Sequence, residues 1–164
     1  MVELQADELL RRLAERRIDF VVIGGIAMIL QGSGRNTFDL DLCFATDANN
    51  LRLLGEALVE LGASLRGVDD DVPFVPDART LARVDVLTLH TRLGNLDVLR
   101  RPAGAPTYER LRTGADVYDI GGIEVRVASV DDLLAMKRAA GREKDLVDVS
   151  ELEMIKRLRR RPTS

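Results

Sequence analysis

The 164-residue chain carries 24 Lys+Arg against 27 Asp+Glu, a net charge of −3, with 46% hydrophobic and 31% charged residues. That make-up fits one globular domain able to bury a core without covalent staples, and it excludes global disorder. The single cysteine, Cys43, and single histidine, His90, exclude an internal disulfide, a Cys-rich zinc site and a His–His metal motif.

In chain order, Leu4–Arg17 reads as a first helix, with Leu9, Leu10 and Leu13 on one stripe. The apolar, β-branched run Phe20–Ile23 predicts a buried strand that ends in Gly24-Gly25. A short buried helix over Ile26–Leu30 follows, broken by Gly32-Ser33-Gly34. Phe38–Phe44 alternates as a strand, with Phe38, Leu40, Leu42 and Phe44 directed to the core. Thr46 or Asp47 caps a helix over about Leu51–Leu61. Residues 67–80, with Asp69-Asp70-Asp71, Pro73 and Pro76, read as a solvated loop. Val84–Thr91 and Asn95–Arg100 form a hairpin through Arg92-Leu93-Gly94.

Pro102, Gly104 and Pro106 mark a break. Beyond it lie a short helix near Tyr108–Arg112 and strands near Val117–Ile120 and Ile123–Val127. Ser129 then caps a helix over Val130–Ala140, and after Gly141 a last helix carries Leu146, Val149, Leu152, Ile155 and Leu158 at steps of three. The expected fold is α/β: a mixed β-sheet core over residues 1–101 with flanking helices, and a small strand/helical C-terminal extension over 102–164, packed as one compact unit. The longest uncharged apolar run, Phe20–Leu30, is well short of the ~18 residues a membrane span needs. The opening Met1-Val2-Glu3 lacks a basic-then-apolar leader, so a cytoplasmic location without a membrane partner is expected.

Two features bear on chemistry. Asp39-Leu40-Asp41 puts two carboxylates on one face of a strand, roughly 6.5–7 Å apart. They repel each other, and a hard divalent cation between them reverses that repulsion; Mg²⁺ takes one or two carboxylates plus substrate phosphate. Asp-x-Asp alone equally describes a solvent-facing strand. The second feature is Gly24-Gly25, where no Cβ obstructs a phosphate approaching the backbone N–H groups, although the same turn also suits tight strand–helix packing. Neither a Gly-x-Gly-x-x-Gly nor a P-loop motif is present.

Ile23-Gly24-Gly25, thirteen intervening residues and Asp39-Leu40-Asp41-Leu42 together resemble the signature of the DNA polymerase beta-like nucleotidyltransferase superfamily. The stretch from Gly24 through Arg35-Asn36-Thr37-Phe38-Asp39 is similar to minimal nucleotidyltransferases close to the AbiE-type toxins. Ser129–Lys137 with Gly141–Asp148 is similar to the helical tail of that group. The resemblance implies an Mg²⁺-dependent nucleotidyltransferase with two ions, Mn²⁺ being a substitute. Asp39, Asp41 and a third carboxylate would serve as catalytic metal ligands. A nucleoside monophosphate would pass from an NTP to a hydroxyl of tRNA or protein by in-line displacement at the α-phosphate, and a cognate antitoxin is an implied partner.

Two acids compete for the third position: Asp97 in Asn95-Leu96-Asp97-Val98-Leu99, and Asp85 in Arg83-Val84-Asp85-Val86-Leu87. The family's Gly-x-x-Asp habit favours Asp97. Gly24, Gly25, Arg35 and Lys137 are the nucleotide-binding candidates. Arg35 lies in the glycine-rich loop; Lys137 is one of three lysines beside 21 arginines, and a compact ammonium suits a phosphate. Both are equally readable as solvated cations. Lys144 and Asp148 are spaced to pair on a helix, while Asp145 could orient Lys137. Residues 137–164 hold nine basic and five acidic groups, either a solvated helix end or a phosphate- or RNA-facing surface. Other readings are nucleotidylation of a small molecule such as an antibiotic, and a nucleotide- or partner-binding module without turnover.

Overall fold

The computed structural model describes residues 2–69 and 73–161; Asp70 and Asp71 of the expected acidic loop lie outside them. In chain order the elements are α1 (Ala6–Glu15), β1 (Phe20–Ile23), α2 (Gly24–Leu30), β2 (Asp39–Phe44), α3 (Ala48–Glu60), β3 (Ser64–Leu65) and α4 (Ala78–Arg83). They continue with β4 (Val86–Thr91), β5 (Gly94–Leu99), α5 (Tyr108–Gly114), β6 (Asp116–Ile120), β7 (Ile123–Val127), α6 (Val130–Ala140) and α7 (Glu143–Arg160).

All seven strands form one mixed sheet in the order β3-β4-β5-β2-β1-β7-β6. β2 runs parallel to β5 and antiparallel to β1, and β7 runs parallel to β1. The last two strands thus extend the same sheet as the first five. Leu40 and Leu42 of β2, Leu96 and Val98 of β5, and Leu87 and Leu89 of β4 alternate onto one buried face. They join Leu9, Leu10 and Leu13 of α1 and Leu51, Leu54 and Leu58 of α3 in one core. Each such leucine contributes about 1.5–3 kcal/mol on leaving water. The opposite face of β4 and β5 is only partly covered: His90 and Val86 are exposed.

Several helix starts follow from side-chain caps. Asp47 accepts from the Asn50 amide at 2.9 Å and Ser129 from the Asp132 amide at 3.1 Å, each satisfying a donor the helix cannot. Two expectations fail. Phe38 is 78% exposed rather than in the core, because β2 begins at Asp39 and the alternation does not reach back to it. On α7, Leu146 and Leu158 are exposed while Asp145, Asp148 and Leu152 are buried. Steps of three fall behind the 3.6-residue turn and wander off the packed face within a few turns.

Candidate active site

The register of β2 against β5 sets Asp41 opposite Asp97 and Asp39 opposite Asn95; β4 adds Thr88 opposite Asp97. Paired residues on neighbouring strands project to the same side. Asp39, Asp41 and Asp97 therefore rise from one face, the one that Leu40, Leu42, Leu96 and Val98 leave free. Asp85 does not join them. It precedes β4, is exposed, and is held by Arg100 at 2.8 Å.

The glycine turn closes one side of this row. Gly24 has φ +67°, and a Cβ there would overlap the carboxyl group of Asp41. A Cβ on Gly25 would stand 2.6 Å from Thr37 Oγ1. Both positions need glycine so that α2 can start against the acid-bearing strand. Thr37 in turn donates to the Asp39 carbonyl at 3.3 Å.

Burial pushes the Asp41 carboxyl up to about 7. The negative charge of Asp97, a hydrogen bond between the two carboxyls and the charge of Asp39 push the same way, and Lys137 opposes them. Burial also raises Asp97, with Arg66 as the main opposing charge. Two adjacent acids that are both raised by burial resist ionising together. Arg66 Nη2 lies 3.0 Å from Asp97 Oδ1, and its Nη1 lies 3.7 Å from Asp39 Oδ1. The Arg66 amide donates to the Thr88 carbonyl at 2.9 Å, so Arg66 continues the line of β3 alongside Thr88, Asp97 and Asp41. Sequence reasoning passed over Arg66. Its strand is two residues long and carries no pattern, and the strand order that brings it to the acids cannot be read from its neighbours.

Arg35 and Lys137 meet at a different acid. Asp148 Oδ2 lies 2.6 Å from Arg35 Nη1 and 2.8 Å from Lys137 Nζ. Lys144 is exposed and takes no part in this cluster. Asp145, whose side chain is fully buried, accepts from the Arg142 amide at 3.1 Å and from its Nε at 2.7 Å, and stands 3.5 Å from Lys137 Nζ. The Arg142 hydrogen bonds hold its carboxyl down at about 2. The loop before β2 is tied to the same helix, since the Gly34 amide donates to Glu151 Oε1 at 3.1 Å.

The donor set on the sheet suits a hard divalent cation. It consists of carboxylate oxygens alone, half-buried and short of positive charge, and Asp97 Oδ1 is buried with no hydrogen-bond partner among the described residues. Among those residues no three acidic, histidine or cysteine side chains are gathered closely enough to hold an ion as they stand. The Arg66 guanidinium lies between Asp39 and Asp97.

Solved structures share this fold. The lincosamide antibiotic adenylyltransferase LnuA, bound to lincomycin, matches with TM-score 0.62 at 15% identity over 94% of this chain and 99% of its own. An antigenic nucleotidyltransferase-like protein from Paracoccidioides brasiliensis matches with TM-score 0.54 at 20% identity, covering 94% of this chain and 78% of that one. ANT(2")-Ia in complex with adenylyl-2"-tobramycin matches with TM-score 0.53 at 17% identity, covering 92% and 90%. These identities speak for the fold alone. Residues 8–157 match the family described as nucleotidyl transferase AbiEii toxin, type IV TA system, and the chain belongs to that family. No curated protein matches the sequence. No helix among the described residues is long and apolar enough to cross a membrane.

Proposed function

We propose that this nucleotidyltransferase moves a nucleoside monophosphate from an NTP to a hydroxyl group on a macromolecule, tRNA or protein, as the toxin of a pair with a cognate antitoxin. The observation that carries the reading is the row of Asp39, Asp41 and Asp97 on one sheet face against Gly24. Asp39, Asp41 and Asp97 would hold Mg²⁺, two ions in the full assembly. Bound there, the metal supplies charge neutralisation at the reacting phosphate and lowers the cost of ionising the acceptor hydroxyl. Asp97 would help take that hydroxyl's proton. Lys137 lies close enough to Asp41 to act on its charge and, with Arg35, offers cations to the phosphates beyond the acids. Gly24 and Gly25 would offer backbone N–H groups to the phosphates. Catalysis on this plan is mostly positioning and electrostatic stabilisation.

A second reading, adenylylation of a small molecule, draws on the near end-to-end match with LnuA, a lincosamide adenylyltransferase. One experiment separates the two. Wild type and Asp39→Ala are incubated with each α-labelled NTP, Mg²⁺, and either cell extract, purified tRNA or a lincosamide. Label entering RNA or protein, and reduced about a thousandfold by the substitution, is the expected result. Label on the lincosamide instead favours the second reading. Absence of any Asp39-dependent labelling overturns the enzymatic reading.

A further inference from the structure

Arg66 occupies an unusual place. It is the one cation in direct contact with the sheet carboxylates among the described residues, bridging Asp97 at 3.0 Å and Asp39 at 3.7 Å. Its backbone is fixed by the hydrogen bond to Thr88. Its side chain is only partly enclosed, and Nη1 is buried without a hydrogen-bond partner. A guanidinium set between two carboxylates neutralises them where a divalent ion between the same oxygens would do so. The two cations cannot share that space, since each would desolvate and repel the other. A guanidinium also has an alternative partner, because its fork of donors fits a phosphate as well as a carboxylate.

We propose that Arg66 is the protein's own counter-cation: it guards the place between Asp39 and Asp97 while no metal is bound, and it passes to the triphosphate when a divalent ion enters. This rests on the reading of these acids as metal ligands. Two consequences of opposite sign follow from one substitution. Removing the guanidinium frees the carboxylates for metal and deprives a polyphosphate of a partner. A merely structural Arg66 would weaken both.

The test uses the full chain and no turnover. Mn²⁺ binding is followed by the electron paramagnetic resonance signal of the free ion. Binding of inorganic tripolyphosphate is followed by calorimetry with Mg²⁺ in saturating excess, the condition under which Arg66 is released from the acids. For Arg66→Met we expect Mn²⁺ to bind about tenfold more tightly and tripolyphosphate about tenfold more weakly than for wild type. Arg66→Lys keeps the charge but loses the fork; it is expected to move each affinity about threefold in the same directions, and it carries the test if the Met variant does not fold. Unchanged or weaker Mn²⁺ binding in the variants overturns the proposal, as does unchanged tripolyphosphate binding. If neither wild type nor variants bind Mn²⁺, the assignment of these acids as metal ligands falls as well.

Discussion

Two groups of acids, the half-buried Asp41 with Asp97 on the sheet and the buried Asp145 with Asp148 on α7, are solvated by the protein in opposite ways. Asp145 and Asp148 receive three cationic side chains, Arg142, Lys137 and Arg35, together with a backbone amide. Asp41 and Asp97 face each other and Asp39, with Arg66 opposing the shift at Asp97 and Lys137 at Asp41. The same side chain is therefore held down at about 2 at Asp145 and pushed up to about 7 at Asp41. The acids of the helical cluster each meet cations, and these contacts join α6, α7 and the loop before β2. The sheet cluster is left short of positive charge, a state the fold tolerates at the cost of stability and one that a divalent ion would relieve.

If this contrast is right, the two clusters respond oppositely to loss of an acid. Asp145→Ala leaves the Arg142 guanidinium and amide without their acceptor and Lys137 with Asp148 alone; we expect a loss of about 2–3 kcal/mol in urea unfolding. Asp41→Asn removes a charge the fold resists; it is expected to gain about 1–2 kcal/mol at pH 8 in EDTA while abolishing turnover. A destabilised Asn variant would break the comparison. The pH slope tests the same contrast. Asp41 titrates at about 7 folded against 3.8 as an unperturbed carboxyl, so the folded state holds the extra proton between those values. Its contribution to stability therefore falls as pH rises from about 4 to 7 and is level above that. Asp145, at about 2 folded, stabilises fully above its unperturbed value and loses that contribution as pH falls toward 2. Thermal melts of wild type minus Asp41→Asn, in EDTA from pH 4 to 8, should show the first slope alone.

The acid pair was legible because strand alternation is local: Asp39 and Asp41 share a face once the strand is recognised, whatever surrounds it. The glycine turn was legible as a close approach, although the structure shows the carboxyl of Asp41 filling the space that a phosphate was expected to use. Asp97 could be preferred to Asp85 only through family habit, since both sit in similar alternating runs. It is the parallel register with β2 that separates them. Arg66 and the shared use of Asp148 by Arg35 and Lys137 were not legible. Each depends on segments far apart in the chain meeting at a sheet edge or a helix face, and no local pattern encodes that. The extension of the sheet by β6 and β7 was hidden for the same reason, because a strand's neighbour is chosen by topology and not by its own sequence.

The C-terminal helix reaches back further than its own cluster. Arg159 donates to the Gln31 carbonyl at 3.0 Å and to its side-chain oxygen at 2.6 Å, and Gln31 closes α2, the helix that begins at the glycine turn. The pocket is thus bracketed by segments translated more than a hundred codons apart. A growing polypeptide on the ribosome carries its acidic pair long before it carries the helix that buttresses the turn, so the pocket is assembled only after that helix has been made.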